Sequence, residues 1–257
     1  MGTVCITGSA GGIGAATRAR LEAAGHRVVG VDVRDAEVIA DLATDAGRSA
    51  MVAAVEAATG GVLDGLVVGA GLQGADPGLV VGVNYFGAVA TLEGLRPLLA
   101  RGEGASAVAI ASNSATTMAG VDEAVVAACL AGDEPAARVA AAAAGSFRDY
   151  PSTKLALARW VRRRAPEDGW IGAGIRLNAV APGPTDTRMV ADLDMPVLEL
   201  GDLYPVPIRR VATPDEQAAV LAFLLSRDAS YVAGAVIPVD GGGEAAVRAD
   251  DWPAARH

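Results

Sequence analysis

Short runs of β-branched and apolar residues alternate with longer helical segments along the chain of 257 residues. This alternation predicts parallel strands joined by helical crossovers in one doubly wound α/β sheet. The predicted strands span 3–7, 27–31, 38–40, 65–68, 107–111, 175–180 and 235–239, and the predicted helices span 12–24, 46–58, 79–99, 150–165 and 214–225. Because no repeat or low-complexity linker interrupts the pattern, we expect one domain over 1–257, with ligands at the carboxyl ends of the strands.

The charge balance argues against a nucleic-acid partner, because a formal net charge of -9 repels phosphate backbones. The basic run Arg162–Arg164 is expected to be a solvated helix face, with an interface contact as the alternative. Cys5 and Cys129 are expected to be buried thiols, and no metal site is predicted. No stretch of about 20 apolar residues lacks charges or glycines, so no membrane span is expected. The chain enters a strand at its start, without a signal peptide, which favours a cytoplasmic protein.

The segment Thr7–Gly14 is rich in glycine and lies between the first predicted strand and the first predicted helix. There Gly8 allows a tight turn, Gly12 lets the backbone approach a pyrophosphate, and Gly14 lets the helix pack closely. The helix N-terminus attracts the phosphate charge. Such a loop can be a plain turn, but its position predicts a dinucleotide site that also includes Ile13.

Asp32 follows the second predicted strand, where its carboxylate can accept both hydroxyl groups of an adenosine ribose. A 2′-phosphate would meet a like charge there, which favours NAD over NADP, although Arg34 could accommodate that phosphate. Asp41 and Leu42 are expected to flank the adenine. A simple surface turn is the alternative for Asp41.

Tyr150 and Lys154 are four residues apart, which places them a turn apart on one helix face. An ammonium stabilises a phenolate and moves the phenol toward acid–base chemistry. Because this spacing is common by chance, other side chains must support the prediction. Ser112 directly follows a predicted strand and is preferred to Ser114 as a catalytic hydroxyl. Asn84 interrupts an apolar helix, either as a buried amide that satisfies helix backbone or as a holder of an ordered water toward Lys154.

In combination these motifs resemble the short-chain dehydrogenase/reductase family. Thr-Gly-x-x-x-Gly-Ile-Gly, the helical Asn, the strand-end Ser, Tyr-x-x-x-Lys and Arg-Leu-Asn-Ala-Val-Ala-Pro-Gly at 176–183 appear in family order across essentially the whole chain. Residues 14–42 are most similar to the 3α-hydroxysteroid dehydrogenase/carbonyl reductase branch. The resemblance implies a seven-stranded Rossmann sheet, NAD, and a catalytic set of Asn84, Ser112, Tyr150 and Lys154, of which the last two also contact the cofactor.

The same resemblance assigns a loop over the nicotinamide to Pro182 and Gly183. It implies that Thr185 and Thr187 reach the carboxamide and the pyrophosphate, with ordinary loop capping as the alternative. The chain has Val-Gly-Ala-Gly at 68–71 where the family often has Asn-Asn-Ala-Gly. This departure removes a bracing amide but keeps a small residue, Gly71, near the adenosine.

A second departure is the separation of Ser112 from Tyr150, which are 38 residues apart where most relatives have a much shorter connection. Residues 115–148 are therefore predicted to form a helical insertion beside the long fourth helix and the Tyr-bearing helix. Since relatives pack their symmetry mates on that face, we expect a homodimer through the 214–225 helix and the last strand rather than a tetramer.

The segment 188–211 contains Pro196, Pro205 and Pro207 among apolar residues such as Met195 and Tyr204. Loops of this length in compact domains are usually functional or disordered. Its place after Gly183 predicts a substrate lid for a bulky hydrophobic molecule such as a steroid, and packing at a subunit contact is the alternative. In the C-terminal tail, 244–257, Trp252 can pack on the lid or on a partner subunit, or hang free.

The function expected from these features is NAD-dependent interconversion of a secondary alcohol and a ketone. A cofactor-binding regulatory protein without catalysis is the alternative, although such proteins usually lose the Tyr or the Lys that are both present here. A dehydratase or epimerase is disfavoured, because those enzymes use longer chains with a separate C-terminal substrate domain.

Overall fold

The computed structural model describes residues 2–145, 147–191 and 197–251. Within them seven parallel strands form one sheet in the order β3-β2-β1-β4-β5-β6-β7. The strands are β1 Thr3–Thr7, β2 Arg27–Asp32, β3 Val38–Ile39, β4 Gly65–Val68, β5 Ser106–Ile110, β6 Arg176–Pro182 and β7 Val236–Val239. Ile6 of β1 pairs with Gly30 on one side and with Val67 on the other, so the strand order reverses at β1. A crevice for ligands opens at such a reversal. The seven parallel strands in one sheet confirm the predicted fold class.

Helices connect the strands and cover both faces of the sheet. They are α1 Gly12–Ala23, α2 Asp45–Thr59, α3 Pro77–Val81, α4 Ala88–Leu99, α5 Ser114–Thr117, α6 Glu123–Ala131, α7 Glu134–Ala144, α8 Asp149–Arg164, α9 Arg188–Ala191, α10 Pro214–Leu225 and α11 Gly243–Val247. Helices α1 and α10 pack on one face of the sheet, and α2, α4 and α8 pack on the other. The predicted long elements agree with these bounds to within two residues.

The long helix predicted at 79–99 begins at Pro77 and contains a π-helical turn, Gly82–Gly87, between α3 and α4. Asp76 caps its start by accepting a hydrogen bond from the amide of Leu79 at 3.1 Å. A π-helical turn widens a helix locally and often lies at a functional site. Here it carries Asn84.

The same helix, Pro77–Leu99, is the one segment among the described residues that is long and apolar enough to cross a membrane by length and composition. However, 61% of its most apolar window is buried inside the protein. Leu92, Leu95 and Leu99 lie fully buried in the hydrophobic core beneath the sheet. Its apolar character is therefore accounted for by packing against β4, β5 and α2.

Residues 115–148 contain α6, α7 and most of α5, and they pack into the body of the protein. Helix α6 lies against α7 and α8, and α7 lies against α3. Val125, Cys129 and Ala137 are fully buried and join the main hydrophobic core. Asp122 caps α6, and its own amide donates to Ser152 Oγ of α8 at 2.8 Å. These helices therefore cover the outer faces of α3 and α8.

Both cysteines are buried free thiols, and burial raises the pKa of Cys5 and of Cys129 to about 12. Such thiols are inert at neutral pH. Within the described ranges no group of His, Cys, Asp and Glu side chains could hold a metal ion.

Candidate active site

The glycine-rich loop joins β1 to α1 and has the backbone that its sequence predicts. Gly8 has φ 72° and Gly12 has φ 53°, conformations that favour glycine. A Cβ on Gly14 would lie 2.0 Å from the carbonyl oxygen of Gly8, so any side chain there would push α1 off the loop. No side chain of the described residues caps the N-terminus of α1, and no acidic residue lies in its first turn. Its amide groups and positive dipole end are thus free for an anionic ligand.

A cavity of about 840 Å³ opens beside this loop at the carboxyl ends of the strands. Fifteen of the sixteen predicted site residues line it: Gly8, Gly12, Ile13, Gly14, Asp32, Asp41, Leu42, Gly71, Ser112, Tyr150, Lys154, Pro182, Gly183, Thr185 and Thr187. The exception is Asn84, which lies behind the cavity wall. The volume is within the range of ligand sites in proteins.

Asp32 ends β2, and its carboxylate accepts hydrogen bonds from the amides of Ala10 at 3.0 Å and Val33 at 2.7 Å. These two bonds fix the carboxylate against the glycine-rich loop and leave further acceptor capacity on both oxygens. Arg34 also lines the cavity and is exposed. Asp32 is therefore the anchored charge at this end of the cavity.

Tyr150 and Lys154 project from α8 toward the end of β5. Lys154 Nζ lies 5.6 Å from the centre of the Tyr150 ring and donates to the carbonyl of Ile110 at 2.9 Å. Burial lowers the pKa of Lys154 to about 8. Burial also raises the pKa of Tyr150, and a hydrogen bond with Ser112 opposes that rise. A phenol, an ammonium and a hydroxyl therefore converge at one point.

The two candidate serines occupy different places at this point. Ser114 donates to Ser112 Oγ through its hydroxyl at 2.9 Å and through its amide at 3.2 Å. Ser112 in turn makes the hydrogen bond with Tyr150. Ser114 thus orients Ser112, and the geometry favours Ser112 as the hydroxyl that faces a substrate.

Asn84 is fully buried and braces the loop after β4 rather than the helix backbone. Its Oδ1 accepts from the amide of Leu72 at 2.7 Å, and its Nδ2 donates to the carbonyl of Leu72 at 2.9 Å. A Cβ on Gly71 would lie 3.4 Å from both Asn84 Oδ1 and Lys154 Nζ. Asn84 therefore fixes backbone that borders the ammonium group of Lys154.

Thr7 also braces the loop after β4, where the family's bracing amide is absent from this sequence. It does so in addition to Asn84. Its hydroxyl oxygen accepts from the amides of Gly69 at 3.1 Å and Ala70 at 3.3 Å. Sequence reasoning placed Thr7 only in the glycine-rich motif. Its reach to the adjacent strand depends on the pairing of β1 with β4 and has no local sequence signal.

The two predicted threonines differ in their surroundings. The Thr185 hydroxyl donates to the carbonyl of Gly183 at 3.0 Å and accepts from Gln217 at 3.3 Å. These bonds are those expected of a threonine that caps a loop, the alternative to a contact with the cofactor. Thr187 lies beside the glycine-rich loop, because its methyl carbon is 3.1 Å from the position of a Cβ on Gly12. Thr187 is thus the better placed of the two to reach a pyrophosphate.

The segment 188–211 covers the cavity through α9 and a 3₁₀-helical stretch, Val197–Leu203. Residues 192–196, including Met195 and Pro196, lie outside the described residues, as does Trp252. Met189, Leu200 and Tyr204 line the cavity. The segment is thus in place to contact a substrate, as a lid requires.

Tyr204 attaches this segment to the strand ends. Its hydroxyl donates to Asn113 Oδ1, and Asn113 Nδ2 donates to Asp240 Oδ2 at 3.2 Å. Asp240 also accepts from the amide of Glu244 at 2.7 Å. Asn113 stands between the two serines in the chain, so this buried network joins the segment 188–211, the Ser112 loop and the turn after β7. Asn113 was not among the residues predicted to form the site.

Comparison with known proteins gives consistent relatives. Residues 144–244 match the family described as Enoyl-(Acyl carrier protein) reductase. The chain is 44% identical to the 3-alpha-hydroxysteroid dehydrogenase/carbonyl reductase of Comamonas testosteroni, over 96% of this chain and 98% of that protein. It is 33% identical to the cis-4-hydroxycyclohexanecarboxylate dehydrogenase of Sinomonas cyclohexanicum, over 92% of this chain and 94% of that protein.

A solved structure agrees with these sequence relatives. The 3-alpha-hydroxysteroid dehydrogenase from Pseudomonas sp. B-0831 complexed with NADH superposes with a TM-score of 0.90 at 43% identity, covering 96% of this chain and 99% of that one. Identity at this level over nearly the whole length, together with the converging Ser, Tyr and Lys, shows that the chain belongs to the short-chain dehydrogenase/reductase family.

Proposed function

We propose that this protein is an NAD(H)-dependent oxidoreductase that interconverts a secondary alcohol and a ketone on a bulky hydrophobic substrate such as a hydroxysteroid. The observation that carries the proposal is the convergence of Ser112, Tyr150 and Lys154 in the cavity that also contains the glycine-rich loop and Asp32. Relatives named for hydroxysteroids, carbonyl compounds and a cyclic alcohol support it.

The residues present fit a dinucleotide. The uncapped N-terminus of α1 can hold a pyrophosphate, and the absent side chain at Gly14 keeps the backbone close to it. Asp32 would accept the ribose hydroxyls and repel a 2′-phosphate, which favours NAD. The neighbour from Pseudomonas was solved with NADH. Leu42 and Asp41 would flank the adenine, and Pro182, Gly183 and the two threonines would border the nicotinamide half.

Bound NAD(H) supplies or accepts the hydride, and the rest of the chemistry falls to side chains of this chain. Ser112, oriented by Ser114, donates a hydrogen bond to the carbonyl oxygen and polarises it. Tyr150 gives its proton to that oxygen during reduction and removes it during oxidation. At neutral pH, below the pKa of about 8, Lys154 is protonated and stabilises the phenolate that remains.

Asn84 contributes by holding the backbone of Gly71 and Leu72 beside Lys154. This bracing keeps the ammonium group in one place, 2.9 Å from the carbonyl of Ile110. A water relay from Asn84 to Lys154 stays a prediction.

The substrate class follows from the apolar side of the cavity. Gln73 and Arg188 add polar groups to those already described, but apolar side chains dominate the rest of the lining, among them Val83, Met118, Phe147, Met189, Leu200 and Tyr204. Such a wall binds a flat, apolar ring system by burial of its surface and offers few partners for a sugar. A hydroxysteroid or another cyclic ketone fits this lining.

The assignment is tested by NADH-linked reduction of a panel of ketosteroids, cyclic ketones and keto sugars. We expect turnover of the ketosteroids and cyclic ketones, and kcat/KM at least about 10-fold lower with NADPH, because like charges in contact are strongly unfavourable. Tight NADH binding without turnover of any member would favour the regulatory alternative. Activity confined to sugars would contradict the hydrophobic substrate.

The oligomer proposed is a homodimer. The insertion covers α3 and α8, and the family resemblance implies that symmetry mates of relatives pack on this side. Among the described residues β7 has a partner strand on one side only, and Phe223 and Tyr231 are 45% and 103% exposed. A second copy would bury this apolar edge.

We also propose a cytoplasmic location, which two free thiols and a nicotinamide cofactor support.

Light scattering tests the dimer. We expect twice the chain mass for the native protein and a monomer for Phe223→Glu, which places a charge in the proposed interface. The matched control is Val139→Glu, at a site 73% exposed on α7, which should remain a dimer. A tetramer at low concentration, or monomers from the α7 variant alone, would contradict the arrangement.

A further inference from the structure

A partly buried charge cluster joins the insertion to the loop that borders the proposed adenine site. Arg48 of α2 is 6% exposed and donates from Nε to the carbonyl of Leu42 at 2.8 Å and from Nη2 to the carbonyl of Gly82 at 2.9 Å. Its Nη1 and Nη2 also donate to the two carboxylate oxygens of Glu134 at 2.6 and 3.0 Å. Glu134 is the first residue of α7, so the insertion provides the counter-charge of Arg48.

A second guanidinium, that of Arg138 one turn along α7, shares the same carboxylate. It donates to Glu134 Oε1 at 2.6 Å, to the carbonyl of Gly78 at 2.8 Å and to the carbonyl of Ala43 at 3.1 Å. We call Arg48, Glu134 and Arg138 the Glu134 clamp. Burial alone would raise the pKa of Glu134, but the two guanidinium groups outweigh it and hold that pKa below its usual range. The carboxylate is therefore ionised at neutral pH.

The loop held by this clamp has little freedom on its other sides. A Cβ on Gly47 of α2 would lie 1.9 Å from the carbonyl oxygen of Asp41, and a Cβ on Gly87 would lie 2.9 Å from Leu42. Asp41 and Leu42 line the main cavity. Their position is thus set by two glycine contacts and by the carbonyl bonds of the clamp.

We propose that Glu134 is a positioning residue for the adenosine half of the cofactor. It holds both guanidinium groups on the carbonyls of Leu42 and Ala43, and it thereby fixes the wall against which an adenine would lie. The insertion then has a second role besides covering α3 and α8, because it sets the affinity for the cofactor. This inference rests on the proposed NAD(H) site.

Loss of the Glu134 charge would leave Arg48 with Asp45 as its remaining carboxylate partner, at 3.0 Å. The Asp45 side chain is 95% exposed, so its charge is well screened by solvent. A buried guanidinium without a close counter-charge draws in water or shifts, and the carbonyls that it holds shift with it. The disturbance should stay on the adenine side, since none of the hydrogen bonds and ion pairs of the clamp in the described residues reaches Ser112, Tyr150 or Lys154.

The test is Glu134→Gln, with binding of NADH and of ADP-ribose measured by calorimetry. A substitution that acts on a ligand site without touching the ligand changes affinity by up to about 30-fold. We expect about 10-fold weaker binding of both NADH and ADP-ribose. At saturating NADH, kcat and the KM for the ketone should stay within about twofold. The matched control is Glu123→Gln at the start of α6, which pairs with Arg159 at 2.9 Å on the exposed surface. It removes the same charge from the same insertion and should leave binding unchanged.

Equal ADP-ribose affinity in Glu134→Gln and the native protein would overturn the proposal. So would a rise in the ketone KM as large as the loss of NADH affinity, because that would indicate a general loosening. If Glu134→Gln does not fold, Arg138→Gln takes its place, since it removes only the bonds to Gly78, Ala43 and Glu134; unchanged ADP-ribose binding there overturns the inference. A native protein that binds no NADH refutes the proposed function itself.

Discussion

Tyr150→Phe should lower kcat for ketone reduction by about 100-fold or more, because general acid catalysis of this kind contributes 10²–10⁴-fold. The substitution removes the proton that the ketone oxygen must receive and keeps the aromatic ring. Ser112 keeps its bonds from Ser114, and Lys154 keeps its bond to Ile110. NADH affinity should therefore change little. Steady-state rates at saturating NADH, with affinity from fluorescence, separate the two effects.

The matched control is Tyr204→Phe, which removes the same hydroxyl from another tyrosine of the cavity. The Tyr204 proton is bonded to Asn113, so it is not available to the substrate. We expect kcat to fall by less than about 10-fold in this variant, as for the loss of one neutral hydrogen bond. Equal losses in the two variants, or no loss in Tyr150→Phe, would remove Tyr150 from the mechanism.

Gly14→Ala should destabilise the protein by about 3 kcal/mol, the upper end of the cost of an overpacked site. The added methyl would lie 2.0 Å from the backbone carbonyl oxygen of Gly8. No side-chain rotation relieves this contact, because the backbone fixes the position of a Cβ. The first turn of α1 must therefore move off the glycine-rich loop. In a chain of this size the change corresponds to roughly 6–12 °C in Tm. Chemical and thermal unfolding of the cofactor-free protein measure it.

The control for this prediction is Gly11→Ala in the same loop. Gly11 has an extended backbone, φ -157°, and a Cβ there would meet no atom within 4 Å. The free energy of unfolding of Gly11→Ala should therefore differ from that of the native protein by less than about 0.5 kcal/mol. If the two alanine variants unfold alike, the close approach at Gly14 does not govern the packing of α1.

Much of the fold and of the candidate site could be predicted because its signals are local. Alternating apolar segments determined the order of strands and helices, since each element must bury a face with its own period. The glycine-rich loop depended on backbone conformations that Gly8 and Gly12 reach without steric cost. Asp32 and Ser112 could be placed at one edge because parallel strands end on the same side of the sheet.

Side-chain roles that join distant segments could not be predicted in this way. Asn84 braces Leu72, Thr7 braces Gly69, and Tyr204 bonds Asn113, which is 91 residues away. Arg48 and Glu134 are 86 residues apart and meet only because the insertion folds back onto the long helix. No periodicity marks such a pair, since a hydrogen bond or ion pair depends on which surfaces the packing brings together.

By itself, therefore, the sequence determined the sheet, the glycine-rich loop and the residue types that a hydride-transfer site requires. Only the tertiary structure decided that Ser112 rather than Ser114 bonds Tyr150, that Asn84 holds a loop, and that Arg138 of α7 reaches the carbonyl of Ala43 beside the cavity. The physical reason is range. Backbone conformation and burial period act between near neighbours in the chain, whereas hydrogen bonds and buried charges are satisfied by whatever group the completed fold places within about 3 Å.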